Sequence, residues 1–125
     1  MPRAMTRTVL IVEDNDLNLK LLDDLLQAEG YSTACFRSSE EALPAIRRNP
    51  PDLILMDIRL PGVSGLEATR TIKGDLALKG IPVVAVTACA MAEDEEEIRA
   101  AGCDGFLAKP FSIDSLLATL GRFLA

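Results

Sequence analysis

The stretch LILMDIRLPGVSG, residues 53–65, is a short apolar run followed by a turn. An aspartate, Asp57, closes the run and stands directly before a loop that carries Pro61, Gly62 and Gly65. A buried carboxylate is costly unless a cation or hydrogen-bond donors compensate for it. The pattern therefore predicts a partner for Asp57, supplied by another part of the chain or by a ligand.

Apolar runs rich in β-branched residues alternate with amphipathic stretches along the whole chain. We predict strands at TVLIV (8–12), STACF (32–36), DLILM (52–56), PVVAV (82–86) and GFLA (105–108). Strands that alternate with helices, and that are themselves continuously apolar, indicate a parallel sheet covered on both faces. The sequence therefore predicts one α/β domain built from five strand–helix units.

The helices are predicted from caps and apolar periodicity. A leucine stripe marks the first, with Gly30 as its C-terminal cap. Ser38 and Glu41 form a capping box for the second, in which Pro44 predicts a kink or a late start. The other three are predicted after Gly65, over AEDEEEIRAAG (92–102), and from Ser112.

Length and composition fit one globular domain. The chain has 125 residues, of which 49% are hydrophobic and 26% charged. No apolar run approaches the ~20 residues of a membrane span, and VLIV is too short for a signal-peptide core. We expect a cytoplasmic protein with an N-terminal tail, residues 1–5, and a domain over 6–125.

Charge and missing residue types exclude several classes of function. The net charge of -6 argues against nucleic acid as a partner, because such binding needs clustered lysine and arginine. The chain has no histidine, so histidine-based catalysis and histidine metal ligands are excluded. Its three cysteines are widely spaced without a CxxC pair, which disfavours disulfides and structural zinc.

Polar side chains follow four of the five predicted strands. Glu13 and Asp14 follow the first, Asp57 the third, Thr87 the fourth and Lys109 the fifth. In an open parallel sheet, ligands bind beyond the carboxyl ends of the strands. We therefore expect these three carboxylates, the hydroxyl and the ammonium to meet at one edge.

This group of side chains predicts a metal and phosphoryl site. Converging carboxylates repel one another unless a cation joins them, and Lys109 supplies only one positive charge. An all-oxygen ligand set favours Mg²⁺, with Mn²⁺ as a substitute, and Mg²⁺ commonly shares its shell with phosphate oxygens. Thr87 could then donate a hydrogen bond to a phosphate oxygen, and Lys109 could neutralise its charge.

The motifs VLIVEDN (9–15), LILMDIRLPGVSGLE (53–67), VVAVTA (83–88) and GFLAKPF (105–111) together resemble a known family. The chain resembles the receiver domain of two-component response regulators, with the CheY-like fold, over residues 6–124. The resemblance implies a doubly wound, flavodoxin-like sheet of order 2-1-3-4-5. The sequence as a whole is most similar to stand-alone cell-cycle regulators of the DivK type.

The resemblance implies roles for the polar residues. Asp57 would be the phosphoacceptor, paired with Lys109. Asp14, Glu13, Asp57 and the backbone carbonyl of Arg59 would hold Mg²⁺. Such a protein is not an enzyme in the usual sense, because it catalyses only its own phosphorylation and dephosphorylation.

Further roles concern the phosphorylated state. Thr87, Lys109 and the amide of Ala88 would bind the phosphoryl group, and Pro110 would follow a cis peptide bond that aims the lysine. Phe106 occupies the aromatic switch position and would act together with Thr87. It is a phenylalanine where tyrosine is common, so this switch would lack a hydroxyl.

The expected partners are proteins. A sensor histidine kinase would donate the phosphoryl group, which supplies the histidine that this chain lacks, and a downstream kinase or adaptor would receive the signal. We expect a monomer that contacts neither nucleic acid nor membrane and is recruited to a cell pole by partners. The residues expected to dock the kinase are Leu17, Asn18, Leu21 and Phe111. In the competing interpretation Leu21 belongs to the core and Leu17 is merely exposed.

Three alternatives stay open at the level of sequence. The first is a binding module that works without phosphorylation, although every site residue is present. The second is a relay intermediate that passes its phosphoryl group to a histidine-containing protein. The third is a Mg²⁺-dependent phosphohydrolase with an aspartyl nucleophile, which Arg59 disfavours because such enzymes place a second aspartate at that position.

Overall fold

In the described part of the chain, five strands alternate with five helices. The computed structural model describes residues 7–60, 62–88, 92–109 and 111–124, with the backbone alone for 92–94. The strands are β1 (Thr8–Val12), β2 (Ser32–Phe36), β3 (Leu53–Asp57), β4 (Val83–Thr87) and β5 (Gly105–Ala108). The helices are α1 (Asp16–Ala28), α2 (Ser39–Arg48), α3 (Gly65–Lys73), α4 (Ala92–Ala101) and α5 (Ile113–Leu124). The predicted tail, residues 1–5, lies outside the described residues.

The strands form a single parallel sheet in the order β2-β1-β3-β4-β5. This order confirms the predicted doubly wound α/β architecture. Strands β3 and β4 each lie one residue further along the chain than predicted. The backbone ladder explains this shift, because Asp57 is paired with Val86 and Thr87 with Ala108, so both polar residues belong to their strands.

Two apolar layers hold the sheet, one on each face. Helices α1 and α5 cover the first face, where Leu22, Leu26, Leu116 and Leu120 pack against β1, β3 and β4. Helices α2 and α3 cover the second face, through side chains such as Ile46. Burial of both sheet faces is the physical reason why the strands are continuously apolar.

The helix ends follow the predicted local chemistry, with one exception. The Ser38 hydroxyl accepts the Glu41 amide at 3.2 Å, and Gly30 follows α1 with a left-handed φ of +92°. The predicted late start of α2 is wrong, because the helix begins at Ser39 and continues through Pro44. The exposed proline ring and the packing of Ala42 and Ile46 on the sheet account for this tolerance.

Candidate functional site

The polar residues predicted from the strand ends do meet at one edge of the sheet. The register pairs Val12 with Met56 and Thr87 with Ala108, so the residues that follow β1 and β5 lie level with the ends of β3 and β4. Oxygen atoms of Glu13, Asp14 and Asp57 lie within 4.8 Å of one another. The expected convergence of the three carboxylates is therefore present.

The carboxylates differ strongly in their exposure. Glu13 is 1% and Asp57 5% exposed, whereas Asp14 is open to solvent. The backbone amide of Asn15 donates to Glu13 Oε2 at 3.2 Å, and the amide of Arg59 donates to Asp57 Oδ1 at 3.0 Å. Backbone amides thus orient the buried carboxylates of Glu13 and Asp57, whereas the carboxylate of Asp14 is exposed to solvent.

Lys109 lies between the two buried carboxylates. Its Nζ is 2.8 Å from Glu13 Oε1 and 3.5 Å from Asp57 Oδ2, and its backbone amide donates to the Thr87 carbonyl at 2.7 Å. The resemblance implied a pair between Lys109 and Asp57, but the shorter contact is with Glu13. The lysine therefore shares its single positive charge between the two buried acids. The predicted cis bond before Pro110 falls outside the described residues.

The titration of the two buried acids is shaped by burial and by their closeness. Burial raises the pKa of Asp57 to about 7, and the hydrogen bond and like charge of Glu13 add to this effect. Burial also acts to raise the pKa of Glu13, but hydrogen bonds with Asp57, Lys109 and the Asn15 amide outweigh it and lower that pKa. The pair therefore keeps its last proton to a higher pH than an isolated carboxylate does, because burial and like charge disfavour the doubly ionised state.

The loop after Asp57 is fixed by close backbone contact. The Gly65 amide donates to the Ile58 carbonyl at 3.2 Å, and a Cβ on Gly65 would fall on the Asp57 carbonyl oxygen. Gly62 has a φ of +74°, in the left-handed region that glycine adopts without strain. Gly65 therefore seats α3 directly on the backbone of the buried acid.

Thr87 and Phe106 lie on neighbouring strands beside this site. Thr87 is buried at the end of β4 with Ala88 exposed after it, and Phe106 is half-buried on β5 opposite Ala85. Phe106 lines a groove of about 270 Å³ between α4, β5 and α5. The predicted switch residues thus lie on adjacent strands, with Thr87 at the carboxyl end of β4 and Phe106 in this groove.

A second concavity lies at the opposite side of the site. It has a volume of about 270 Å³ and is lined by Asn18, Leu21, Ala88, Lys109 and Phe111. Leu17 is 79% and Leu21 49% exposed, so the interpretation of Leu21 as a core residue is wrong. Of the residues expected to dock a kinase, three line this concavity, and Leu17 lies on the same helix beyond it.

Sequence reasoning missed one polar cluster at the far edge of the sheet. Lys73, predicted only as part of a helix, donates to Asp104 Oδ2 at 2.7 Å and to the Ile81 carbonyl at 2.8 Å. Neither residue belongs to a motif, and a lysine at the last turn of a helix is ordinarily a solvated charge. The sequence offered one weak indication, which is that Lys73 directly follows the apolar residue Ile72.

The acidic cluster is suited to a divalent cation. Its donors are carboxylate oxygens alone, the set that Mg²⁺ prefers, and two of them are held in place by backbone amides. One ammonium faces two buried carboxylates, so a cation would relieve the remaining repulsion. The residues present therefore fit a bound Mg²⁺.

Comparison with known proteins agrees with the fold and the site. Residues 9–121 match the model of the response regulator receiver domain. The polar-differentiation response regulator DivK of Brucella ovis is 53% identical over 120 residues, covering 96% of this chain and 98% of the relative. DivK of Brucella anthropi is 52% identical over the same length.

Solved structures give the same result. The receiver domain of a sensor histidine kinase from Pseudomonas aeruginosa, with a magnesium ion coordinated in its active-site cleft, superimposes with a TM-score of 0.88. It is 35% identical, over 94% of this chain and 97% of its own. The chemotaxis protein CheY4 of Vibrio cholerae gives a TM-score of 0.90 at 29% identity, over 95% of this chain and 99% of its own.

The chain belongs to the response regulator receiver domain family. It is a receiver of two-component signalling, and it is similar over almost its whole length to the DivK response regulators. Receivers are signalling proteins rather than classical enzymes, and they bind Mg²⁺ at an acidic pocket of the kind present here. Among the helices that the structure describes, none has the length and apolar character needed to span a bilayer.

Proposed function

We propose that this protein is a phosphorylation-dependent switch in which Asp57 accepts a phosphoryl group from a sensor histidine kinase in the presence of Mg²⁺. The observation that carries the proposal is the convergence of Glu13, Asp14 and Asp57 within 4.8 Å, with the Lys109 ammonium between the two buried acids. A phosphorylation-independent binding module would have no need for this costly burial of charge.

Mg²⁺ would be held by the side chains of Glu13, Asp14 and Asp57 and by the backbone carbonyl of Arg59, with Mn²⁺ as a substitute. The all-oxygen donor set supports this assignment, as does the magnesium in the cleft of the similar Pseudomonas aeruginosa receiver. When bound, the ion neutralises the negative charge of the phosphoryl oxygens during transfer. Because Asp14 is exposed, solvent and the donor would reach this site.

In the transfer itself, a carboxylate oxygen of Asp57 forms the new bond to phosphorus as the bond from phosphorus to the donor's imidazole nitrogen breaks. The backbone amide of Arg59 holds the carboxylate in position, through its 3.0 Å bond to Oδ1. Lys109 faces Oδ2 at 3.5 Å and supplies positive charge beside the incoming group. The donor provides the histidine, so the reaction needs none from this chain.

After transfer, Thr87, the Ala88 amide and Lys109 would bind the phosphoryl oxygens. Thr87 ends β4 and Phe106 lies on the adjacent strand, so movement of Thr87 frees space toward which the phenylalanine turns. A complete switch requires about 5.5 kcal/mol of differential stabilisation, which several charge-assisted hydrogen bonds of roughly 1.5–3 kcal/mol each can supply. The groove beside Phe106 is the surface that would change.

The concavity formed by Asn18, Leu21 and Phe111 is proposed to receive the kinase, with Leu17 at its margin. It opens beside Lys109 and presents exposed leucine side chains, which supports docking directly over the phosphoacceptor. The output partner would be a kinase or adaptor protein bound by the monomer. The name of the similar Brucella proteins, polar-differentiation response regulators, supports a role in polar differentiation. The protein would act in cell-cycle control, in the cytoplasm and at a cell pole.

Mapping the modified residue tests this proposal. The protein is incubated with Mg²⁺ and a small acyl-phosphate donor, and the adduct is trapped by reduction and located by peptide sequencing. We expect modification at Asp57, no modification in Asp57→Asn, and normal modification in the matched control Asp52→Asn, whose carboxylate is exposed and accepts the Thr8 amide. An adduct at another residue, or one that persists in Asp57→Asn, would overturn the assignment.

A further inference from the structure

Helix α3 connects the proposed phosphoacceptor to the opposite edge of the sheet. At its first residue, Gly65 rests on the Asp57 backbone, and the Thr69 hydroxyl donates to the Gly65 carbonyl at 2.8 Å. Its last residue is Lys73. With a rise of about 1.5 Å per residue, this nine-residue helix spans roughly 13 Å, about the length of the neighbouring strands.

The ammonium of Lys73 binds three separate oxygens. It donates to Asp104 Oδ2 at 2.7 Å, to the Ile81 carbonyl at 2.8 Å and to the Lys79 carbonyl at 3.1 Å. An ammonium has three hydrogens, so every donor is used. The Lys73 side chain is 18% exposed and that of Asp104 39%, so the ammonium is shielded from solvent more than its partner carboxylate is.

Asp104 ties the same cluster to the sheet. Its Oδ2 also accepts the Val83 amide at 2.9 Å, and its own amide donates to the Val83 carbonyl at 2.8 Å. One carboxylate oxygen thus joins the end of α3, the start of β4 and the residue before β5. Asp104 also lines the groove that contains Phe106.

The end of α4 is held against α3 at the same place. Gly102 has a φ of +104°, and a Cβ there would come within 2.8 Å of the Lys73 Cγ, so the glycine packs directly on the lysine methylenes. The Cys103 thiol lies 3.8 Å from the Thr69 hydroxyl. The amides of Gly102 and Cys103 close the helix by donating to the Arg99 and Ile98 carbonyls.

We propose that Lys73 is a positioning residue that clamps the α4–β5 turn, residues 102–104, to α3, and that this turn is the fixed pivot of α4. The clamp comprises Lys73, Gly102 and Asp104. On phosphorylation, α4 would then move chiefly at its Ala92 end, while its carboxyl end and the entrance to β5 stay in place. The second part of this inference rests on the proposed function, whereas the clamp itself does not.

Hydrogen exchange on the full chain tests both parts. Lys73→Met keeps the methylenes that Gly102 contacts and removes the ammonium. The matched control is Lys79→Met, because the exposed Lys79 side chain lies in the adjoining loop and contributes only its carbonyl to the clamp. Asp104→Asn, which keeps an oxygen for the Val83 amide, serves as a second variant if Lys73→Met fails to fold.

In the unphosphorylated protein, Lys73→Met should speed exchange of the Gly102, Cys103 and Asp104 amides at least about tenfold, which corresponds to about 1.4 kcal/mol. Lys79→Met should leave the exchange of these three amides unchanged. In Lys73→Met the rate of Asp57 phosphorylation should stay within about twofold of the wild-type rate, because the clamp lies at the other edge of the sheet. Unchanged exchange in both Lys73→Met and Asp104→Asn would refute the clamp.

The pivot is tested by adding Mg²⁺ and beryllofluoride, a phosphoryl mimic. Within residues 92–104, the induced change in exchange of the wild type should be confined to 92–97, and in Lys73→Met it should extend through 98–104. A wild-type change that already extends through 98–104 would refute the pivot. The mimic could also induce no change in any variant while exchange of the 102–104 amides is still faster in unphosphorylated Lys73→Met. In that case the clamp would be supported, and the proposed function and the pivot would both be refuted.

Discussion

The Lys109 ammonium is 2.8 Å from a Glu13 oxygen and 3.5 Å from an Asp57 oxygen. One cation therefore serves two buried acids. Glu13 holds the lysine at the edge of the site, where it remains within reach of the group that Asp57 would receive. Partial burial acts to lower the pKa of Lys109, but the hydrogen bond from its ammonium to Glu13 and the negative charges of both acids outweigh burial and raise that pKa. The lysine therefore stays charged.

Lys109→Met should leave the chain able to fold but slow phosphorylation of Asp57 by about 100-fold, as expected when a preorganised charge is removed from a transfer site. The rate is measured with a small phosphodonor at saturating Mg²⁺. Lys20→Met is the matched control, because that lysine is exposed and pairs with Asp24. A rate near that of the wild type would show that Lys109 does not act on the transferred group.

Asp57→Asn should stabilise the metal-free protein at neutral and alkaline pH. The pKa of Asp57 in the folded chain is raised to about 7 by burial and by Glu13, above the ordinary value of 3.8. Its ionisation therefore disfavours the folded state increasingly as pH rises from about 4 to about 7. Thermal unfolding with a chelator should give a higher Tm for Asp57→Asn above about pH 7, and a difference that vanishes below about pH 4. Asp24→Asn, at an exposed site, is the control, and the same profile in both variants would contradict this explanation.

Gly65→Ala should be strongly destabilising. A Cβ at this position would fall on the Asp57 carbonyl oxygen and lie 2.8 Å from the Ile58 Cα, and a backbone cannot yield as a flexible side chain can. Gly121→Ala is the control, because it lies within α5 with open space around it, and it should stabilise the helix by up to about 1 kcal/mol. Chemical denaturation of both variants measures the difference. Equal stabilities would mean that α3 is not seated on the acidic strand as described.

Ser39→Ala should leave the protein as stable as the wild type or stabilise it by about 1 kcal/mol. The Ser39 hydroxyl is completely buried at the start of α2 and has no hydrogen-bond partner among the described residues. Thr69→Val provides the opposite case, because the buried Thr69 hydroxyl donates to the Gly65 carbonyl, and it should destabilise by about 1 kcal/mol. Denaturant titration compares the two. A clear loss of stability in Ser39→Ala would indicate a partner that binds this hydroxyl.

Thr87→Ala should accept phosphate and fail to signal. The buried hydroxyl at the end of β4 is proposed to move toward the phosphoryl group, which allows Phe106 to turn inward. We expect a phosphorylation rate within about tenfold of the wild type, together with loss of the phosphorylation-induced exchange change around Phe106. Thr71→Ala is the control, because the exposed Thr71 hydroxyl donates to the Glu67 carbonyl within α3. An intact change in Thr87→Ala would remove this residue from the switch.

Much of the fold could be predicted because the strand sequences show both where the chain is buried and where each strand ends. Continuous apolar runs indicate burial on both sheet faces, and the polar residues that end them mark the edge where they meet. The position of Asp57 where the third apolar run stops followed from residues 53–57 alone, although the strand was predicted to end at Met56 and includes Asp57. The order of the strands needed the family resemblance, because short apolar runs do not specify which neighbour they pair with.

What the sequence could not supply depends on contacts between distant residues. Nothing local distinguishes Lys109 bound to Glu13 from Lys109 bound to Asp57, since both acids lie far away in the chain. The clamp at Lys73 was missed because its acceptors include backbone carbonyls, which leave no trace in residue type. The continuity of α2 through Pro44 shows tertiary packing outweighing a local helix breaker.

The most direct test of the central claim is the intact mass of the protein after incubation with a small phosphodonor, with and without Mg²⁺. Wild type and Asp57→Asn are compared under both conditions. The account predicts one phosphoryl adduct per chain in the wild type, formed only when Mg²⁺ is present, and none in Asp57→Asn. An absence of adduct in the wild type under both conditions, or an adduct that forms equally after chelation, would contradict a Mg²⁺-dependent phosphoacceptor at Asp57.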